Sequence, residues 1–202
     1  VELSSVYHDV IKDRLYTDAA NSPRRRSTQT ALHRLVTGLC QMLAPILAFT
    51  ADEAWEFVAG KNVNSVHESK FEAADFEFSE NEKAIWKNLF ALREQILPEL
   101  EKARQNKFIG KSLEAKLQLI IPNEFAAALN ARNDLRELLN VSELFIEISA
   151  LAAEKQELIS VVHRADGQKC ERCWHWETDI GQNAEHPTIC GRCVEAVKQF
   201  KV

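Results

Sequence analysis

Two Cys-x-x-Cys pairs lie near the end of the chain: Cys170-Glu171-Arg172-Cys173 and, sixteen residues on, Cys190-Gly191-Arg192-Cys193. Each pair makes a tight turn that aims two sulfurs at one point, and two such turns at this separation read as a four-thiolate zinc site. Zn²⁺ would sit in a tetrahedron of sulfurs at roughly 2.3 Å, with no position left for water or substrate. One structural Zn²⁺ on Cys170, Cys173, Cys190 and Cys193 is therefore expected. Two disulfides are the competing arrangement, but nothing in the sequence points to an oxidising compartment.

A second set of candidates is cationic and aromatic. Arg24-Arg25-Arg26 falls in the first turn of a helix opened by Ser22-Pro23. Three cations there oppose the helix dipole at a few tenths of a kcal/mol each. That unfavourable placement suggests an anionic partner such as phosphate, against the plainer reading of a solvated surface. Lys12-Asp13-Arg14 likewise reads as a solvated face or a structural ion pair. Around the metal site, Arg172, Arg192, Trp174 and Trp176 could supply phosphate contact and stacking. Trp174 is expected to cap the small zinc-module core, which leaves Trp176 as the stacking candidate. From His163 onward six bases balance six acids, and four thiolates with Zn²⁺ add −2. The module would therefore act on a polyanion by shape and stacking rather than by charge.

The elements that must hold these residues are mainly helical at first. Leu3, Val6, Tyr7, Val10 and Ile11 share a face, predicting a helix over about residues 2–17 that starts without a cap. With Val1 in place of a methionine, the chain reads as a piece of a longer one. The next helix carries Leu32, Leu35, Val36, Leu39, Met42 and Leu43 on its apolar side, with His33 at the core edge and Cys40 as a small buried residue. Ala44-Pro45 kinks or ends it. Thr50-Ala51-Asp52-Glu53 and Ser79-Glu80-Asn81-Glu82 both match a capping box. The first would open a short helix with Trp55 inward. Behind the second, Ile85, Leu89, Leu92, Ile96, Leu100 and Ala103 form a packing seam, with Pro98 expected to kink the helix. Six acids and only Lys70 lie from Glu68 to Glu82, a stretch that should face water.

Past Gly110 the period changes. Ala115–Ile121 reads as a strand, 123–139 as a helix, and the residues around Leu144–Ile148 and Leu158–Val162 as two more strands, giving a β-α-β-β unit. The expected fold is mainly α, an antiparallel helix bundle (residues 1–107), followed by a small α/β unit (108–165) and a zinc-ribbon-like module (166–202). A net charge of −5 argues against nucleic-acid binding by bulk charge. No apolar run approaches the ~20 residues of a membrane span, and no signal peptide is recognisable. Cys40 as the fifth, unpaired cysteine favours a reducing compartment.

Several words of the sequence occur together in one known family. Lys12-Asp13-Arg14-Leu15-Tyr16, Arg25-Arg26-Ser27-Thr28-Gln29-Thr30, Leu43-Ala44-Pro45-Ile46-Leu47, Phe49-Thr50-Ala51-Asp52-Glu53-Ala54-Trp55, Ile109-Gly110-Lys111-Ser112-Leu113-Glu114-Ala115 and the Cys170–Cys193 module follow one another in order. The chain thereby resembles bacterial isoleucyl-tRNA synthetases, class I enzymes, over nearly its whole length. The resemblance implies the anticodon-binding and C-terminal zinc domains of such a ligase, whose parent joins isoleucine to tRNA with ATP and Mg²⁺. The nucleotide-binding signatures of that parent do not occur in the sequence, nor does the editing domain, so the stretch itself is expected to bind tRNA and catalyse nothing. Expected partners are the anticodon arm of tRNA and the rest of the synthetase, in a cytoplasmic monomer without DNA or membrane contact. Candidate tRNA contacts are Lys12, Arg14, Arg24, Arg25, Arg26, Arg172, Trp176 and Arg192. A DNA-repair glycosylase tail, which carries a similar zinc finger, and a purely structural zinc module are the alternatives.

Overall fold

The computed structural model describes residues 3–71, 77–122, 125, 130–148 and 158–200. A π-helical turn (Leu3–Tyr7) leads into α1 (His8–Val10) and α2 (Lys12–Tyr16), followed by α3 (Pro23–Leu43), α4 (Ala48–Glu56) and α5 (Glu80–Gln105). Then come β1 (Ala115–Ile121), α6 (Arg132–Leu139), β2 (Glu143–Ile148), β3 (Ile159–Arg164), β4 (Gln168–Lys169), β5 (Trp176–Glu177) and α7 (Gly191–Lys198). Contacts gather the chain into two compact units, residues 1–17 with 78–202, and residues 18–77.

In the first unit a three-stranded sheet of order β2-β1-β3 lies at the centre. β1 pairs with β2 in parallel and with β3 antiparallel. A parallel pair needs a crossover, here the segment carrying α6, whereas the antiparallel pair does not. Side chains alternate across a strand, so Ala115, Leu117, Leu119 and Ile121 all face one side and are buried. That face shares a core with Leu89, Leu92, Ile96 and Leu100 of α5 and with Leu135, Leu138 and Leu139 of α6. The seam expected to pack in a helix bundle thus packs in the core of the sheet. Ser79 caps α5 in a complete box with Glu82. Pro98 lies inside the helix, which continues to Gln105.

Elsewhere the structure departs from the periodicity. The first helix is broken, because Ile11 takes φ −81° and ψ −6° and buries its side chain. The first part of the helix expected over 123–139 falls largely outside the described residues; α6 ends at Asn140 in the left-handed conformation, a frequent way to stop a helix.

In the second unit Ser22 caps α3 by accepting a hydrogen bond from the Arg25 amide, with Pro23 at the first position. Cys40, Ala51, Trp55, Val58 and Val66 form its core. The apolar row Leu35, Val36, Leu39, Met42 and Leu43 is exposed, and so is His33, whose Nε2 meets the Ala59 carbonyl at 2.8 Å. Thr50 is no cap: α4 already starts at Ala48 after Leu47, and a residue inside the helix cannot adopt the extended conformation an N-cap needs. Asp52 of that false box instead accepts from Ser65 Oγ at 2.7 Å and the Val66 amide at 2.8 Å. No described helix is long and apolar enough to cross a membrane.

Candidate metal centre and nucleic-acid interface

The second knuckle is built by α7, whose first turn carries Cys193 and whose start at Cys190 and Gly191 meets Asp179: the Gly191 amide donates to its carboxylate at 2.8 Å. The first knuckle lies in the connection between β4 and β5, which pair as an antiparallel ribbon. Gly167 opens that ribbon at φ +82°, where an added Cβ would stand 2.2 Å from the Glu177 carbonyl oxygen, so only glycine fits. The two knuckles are tied by amides: Glu171 donates to the Thr188 carbonyl at 3.1 Å, and Cys190 to Cys170 Sγ at 3.4 Å.

Four buried sulfurs result, all within 4.8 Å of one another, none in a disulfide. Cys173 and Cys190 Sγ are 3.8 Å apart, close to the edge of a tetrahedron with metal–sulfur bonds of about 2.3 Å. The electrostatics fit a cation as well. The Cys173 and Cys193 thiols are pushed up to about 12, the first chiefly by its bond to Cys190 and the second chiefly by its bond to Cys173. Burial pushes Cys170 up too, but amides of Cys173, Cys190 and Arg172 aimed at its sulfur bring it below the ordinary thiol value. Sulfurs so crowded cannot all ionise unless a cation stands among them. Cys170, Cys173, Cys190 and Cys193 form a four-cysteine zinc site, and Zn²⁺ held there would stabilise the fold rather than react.

The arginines of the two knuckles turn towards α2. Arg192 grips Asp13 with both Nη atoms, at 2.7 and 2.8 Å. Arg172 donates to the carbonyls of Thr17 and Tyr16. Burial alone would raise the Asp13 carboxyl; the Arg192 guanidinium and the Thr17 hydroxyl outweigh it and hold the group well below the usual carboxylate range. Arg14 is equally engaged, its Nε 2.7 Å from Glu137. In the second unit Arg24 forks onto Asp18 at 2.6 and 2.7 Å, and Arg25 donates to the Asp18 carbonyl at 3.0 Å. Lys12 and Arg26 are exposed, with surface partners Asp9 at 2.8 Å and Gln29 at 3.4 Å.

The two tryptophans are the reverse of their expected burial. Trp174 has φ +67° and is 57% exposed, because the left-handed residue after Cys173 turns its side chain outward. Trp176 lies on β5, half-buried, its amide donating to the buried Ser142 hydroxyl at 2.8 Å. Lys169 and Lys111 Nζ stand 5.7 and 6.0 Å from the Trp174 ring centroid, at the reach of a cation–π contact. Both lysines escaped the sequence reading, although Lys111 stands inside the Gly110-Lys111-Ser112 word. The ring borders a cleft of about 670 Å³ shared with Tyr16, Arg104, Lys111, Arg172 and His175.

The family described as "Anticodon-binding domain of tRNA ligase" matches residues 1–120. A second, described as "Zinc finger found in FPG and IleRS", matches residues 167–196. The isoleucine–tRNA ligase of Exiguobacterium sibiricum is 43% identical over 204 residues, covering 99% of this chain and 22% of that protein. Those of Pectobacterium carotovorum and Actinobacillus pleuropneumoniae serotype 5b are 40% and 42% identical over 207 residues, again covering 98% of the chain and 22% of each protein. The chain thus spans about a fifth of the length of these relatives. With more than half of its residues inside the first match and the zinc-finger match behind it, the chain belongs to the anticodon-binding domain family of tRNA ligases.

Proposed function

We propose that this chain is the C-terminal, anticodon-recognising part of a cytoplasmic, monomeric isoleucine–tRNA ligase, whose remaining domains supply ATP- and Mg²⁺-dependent attachment of isoleucine. Three parts divide the work: residues 1–107 approach the anticodon arm, 108–165 form the junction, and 166–202 present the zinc module. The observation that carries the reading is the exposed Trp174 ring beside its cleft, framed by Lys111 and Lys169. RNA loops are recognised by stacking unpaired bases on aromatic rings, and the flanking ammonium groups suit the phosphates on either side of a stacked base. Lys12 in the first unit and Arg26 in the second each add exposed charge for the backbone. Arg14, Arg172 and Arg192 hold the shape of the first unit through Glu137, Thr17 and Asp13, Arg24 and Arg25 that of the second through Asp18, and Trp176 anchors β5 on Ser142. A glycosylase tail shares the zinc finger, but the match over residues 1–120 favours the ligase.

Affinity for an isoleucine-tRNA anticodon stem-loop, measured at two salt concentrations, tests this. Trp174→Ala should weaken binding by ~1–3 kcal/mol, with an unchanged salt slope and unchanged zinc content. Lys111→Ala with Lys169→Ala should flatten the salt dependence, since each lost phosphate contact releases fewer counterions. Unaltered affinity in Trp174→Ala would remove the stacking role. Preference for duplex DNA bearing an abasic site would favour the glycosylase reading.

A further inference from the structure

We infer that Arg172 and Arg192 couple the metal centre to the end of α2, so that metal binding and the order of the Asp13–Thr17 segment rise and fall together. Each arginine is the residue immediately before the second cysteine of its knuckle. Arg172 Nη1 lies 3.6 Å from Cys193 Sγ while the same guanidinium donates to the Thr17 and Tyr16 carbonyls. Arg192, joined directly to Cys193 in the chain, forks onto Asp13. Asp13 in turn accepts from Thr17 Oγ1 at 2.7 Å, which closes the loop between the two contacts. Apart from exposed Tyr16, the residues that supply these groups are half-buried or buried.

The metal gives the coupling its sign. Binding and folding energy coincide in a small metal module, so an ion on the four sulfurs would order the two knuckles that carry the arginines. Arginines on ordered knuckles are held in place, and those on loosened knuckles are not. Held in place, they present fixed donors to the carboxylate and to two carbonyls at the end of α2, which a short helix leaves without intrahelical partners. By linkage, whatever the metal does for the segment, the segment does for metal affinity by the same factor. Thr17 is also the last residue of the first compact unit's opening segment.

Amide hydrogen exchange on the full chain, with zinc bound and after chelation, tests this. Chelation of the parent chain should speed exchange at residues 13–17 by about 5- to 150-fold, the usual range of a coupling between sites. In Arg172→Gln with Arg192→Gln, the zinc-loaded protein should already exchange fast there, chelation should add little, and zinc should pass more readily to a competing chelator. Equal loosening by chelation in parent and double variant would overturn the proposal, because the coupling would then run through other contacts. Should the double variant hold no zinc, Asp13→Asn decides, since it lies outside the metal module. It should keep one zinc per chain, exchange fast at residues 13–17, and release zinc sooner; parent-like exchange in that variant would refute the clasp.

Discussion

Asp52 shows how one carboxylate can close a small core. Its Oδ1 accepts from the Ser65 hydroxyl and from the Val66 amide, pinning the loop after α4 over Trp55 and Val66. The Ser65 hydrogen bond, and then the Val66 amide, hold its carboxyl below the ordinary value. A lowered folded-state value means stability that is complete above the unfolded pKa of about 4 and lost as pH falls through the folded value. The 18–77 unit should therefore soften on acidification below about pH 4. In Asp52→Asn that part of the acid limb should vanish, while stability near neutrality drops. Melting curves of parent and variant between neutral and acid pH check this; parallel acid limbs would assign the loss to other carboxylates. At this scale the sequence was legible for cysteines and misleading for tryptophans. Cysteine spacing dictates ligand geometry directly, whereas the outward turn of Trp174 depends on a left-handed φ that no residue type near it signals.

Helix α5 has the clearest sequence signature of any element. Its capping box, seam and length are all local properties, and Leu92 and Ile96 on the seam are fully buried. Ser79→Ala should cost about 1 kcal/mol through the lost cap, and Leu92→Ala about 2–5 kcal/mol through the lost contacts and the cavity. Denaturant titration of both variants gives the two values, and a smaller loss for Leu92→Ala than for Ser79→Ala would contradict the packing described. What local pattern could not supply is the surface that meets the seam. A stripe at helical spacing looks the same whether it faces a helix or a sheet, and here it shares a core with both the sheet and α6. The exposed row on α3 makes the same point from the other side, since periodicity says which residues share a face and nothing about what covers it. Thr50 matched a box because the motif records side chains, while capping requires a backbone that has not yet entered the helix.

Across the whole molecule, the metal module is tied to its own compact unit by short polar links. Ser142 receives the Trp176 amide and donates to the Leu113 carbonyl, and the sulfur cluster packs chiefly on Ile180 and Ile189. A core that small cannot persist without its metal, for which binding and folding energy coincide. Cys190→Ala should abolish stoichiometric zinc and lose exchange protection from about residue 166 onward. The core of Cys40, Ala51, Trp55, Val58 and Val66 should stay protected. Loss of protection in that core as well would show that the chain folds as one cooperative whole.

Cys40 gives the molecule a chemical counter. Burial keeps its thiol 4% exposed and raises its pKa, so it reacts slowly, and sulfurs bonded to a metal react slowly too. The intact protein should leave a thiol reagent almost colourless. Each departing ion would release four sulfurs at once, with the fifth appearing only when the α3–α4 core opens. A single titration therefore dates two separate failures of the same chain, one in its mineral part and one in its hydrocarbon part.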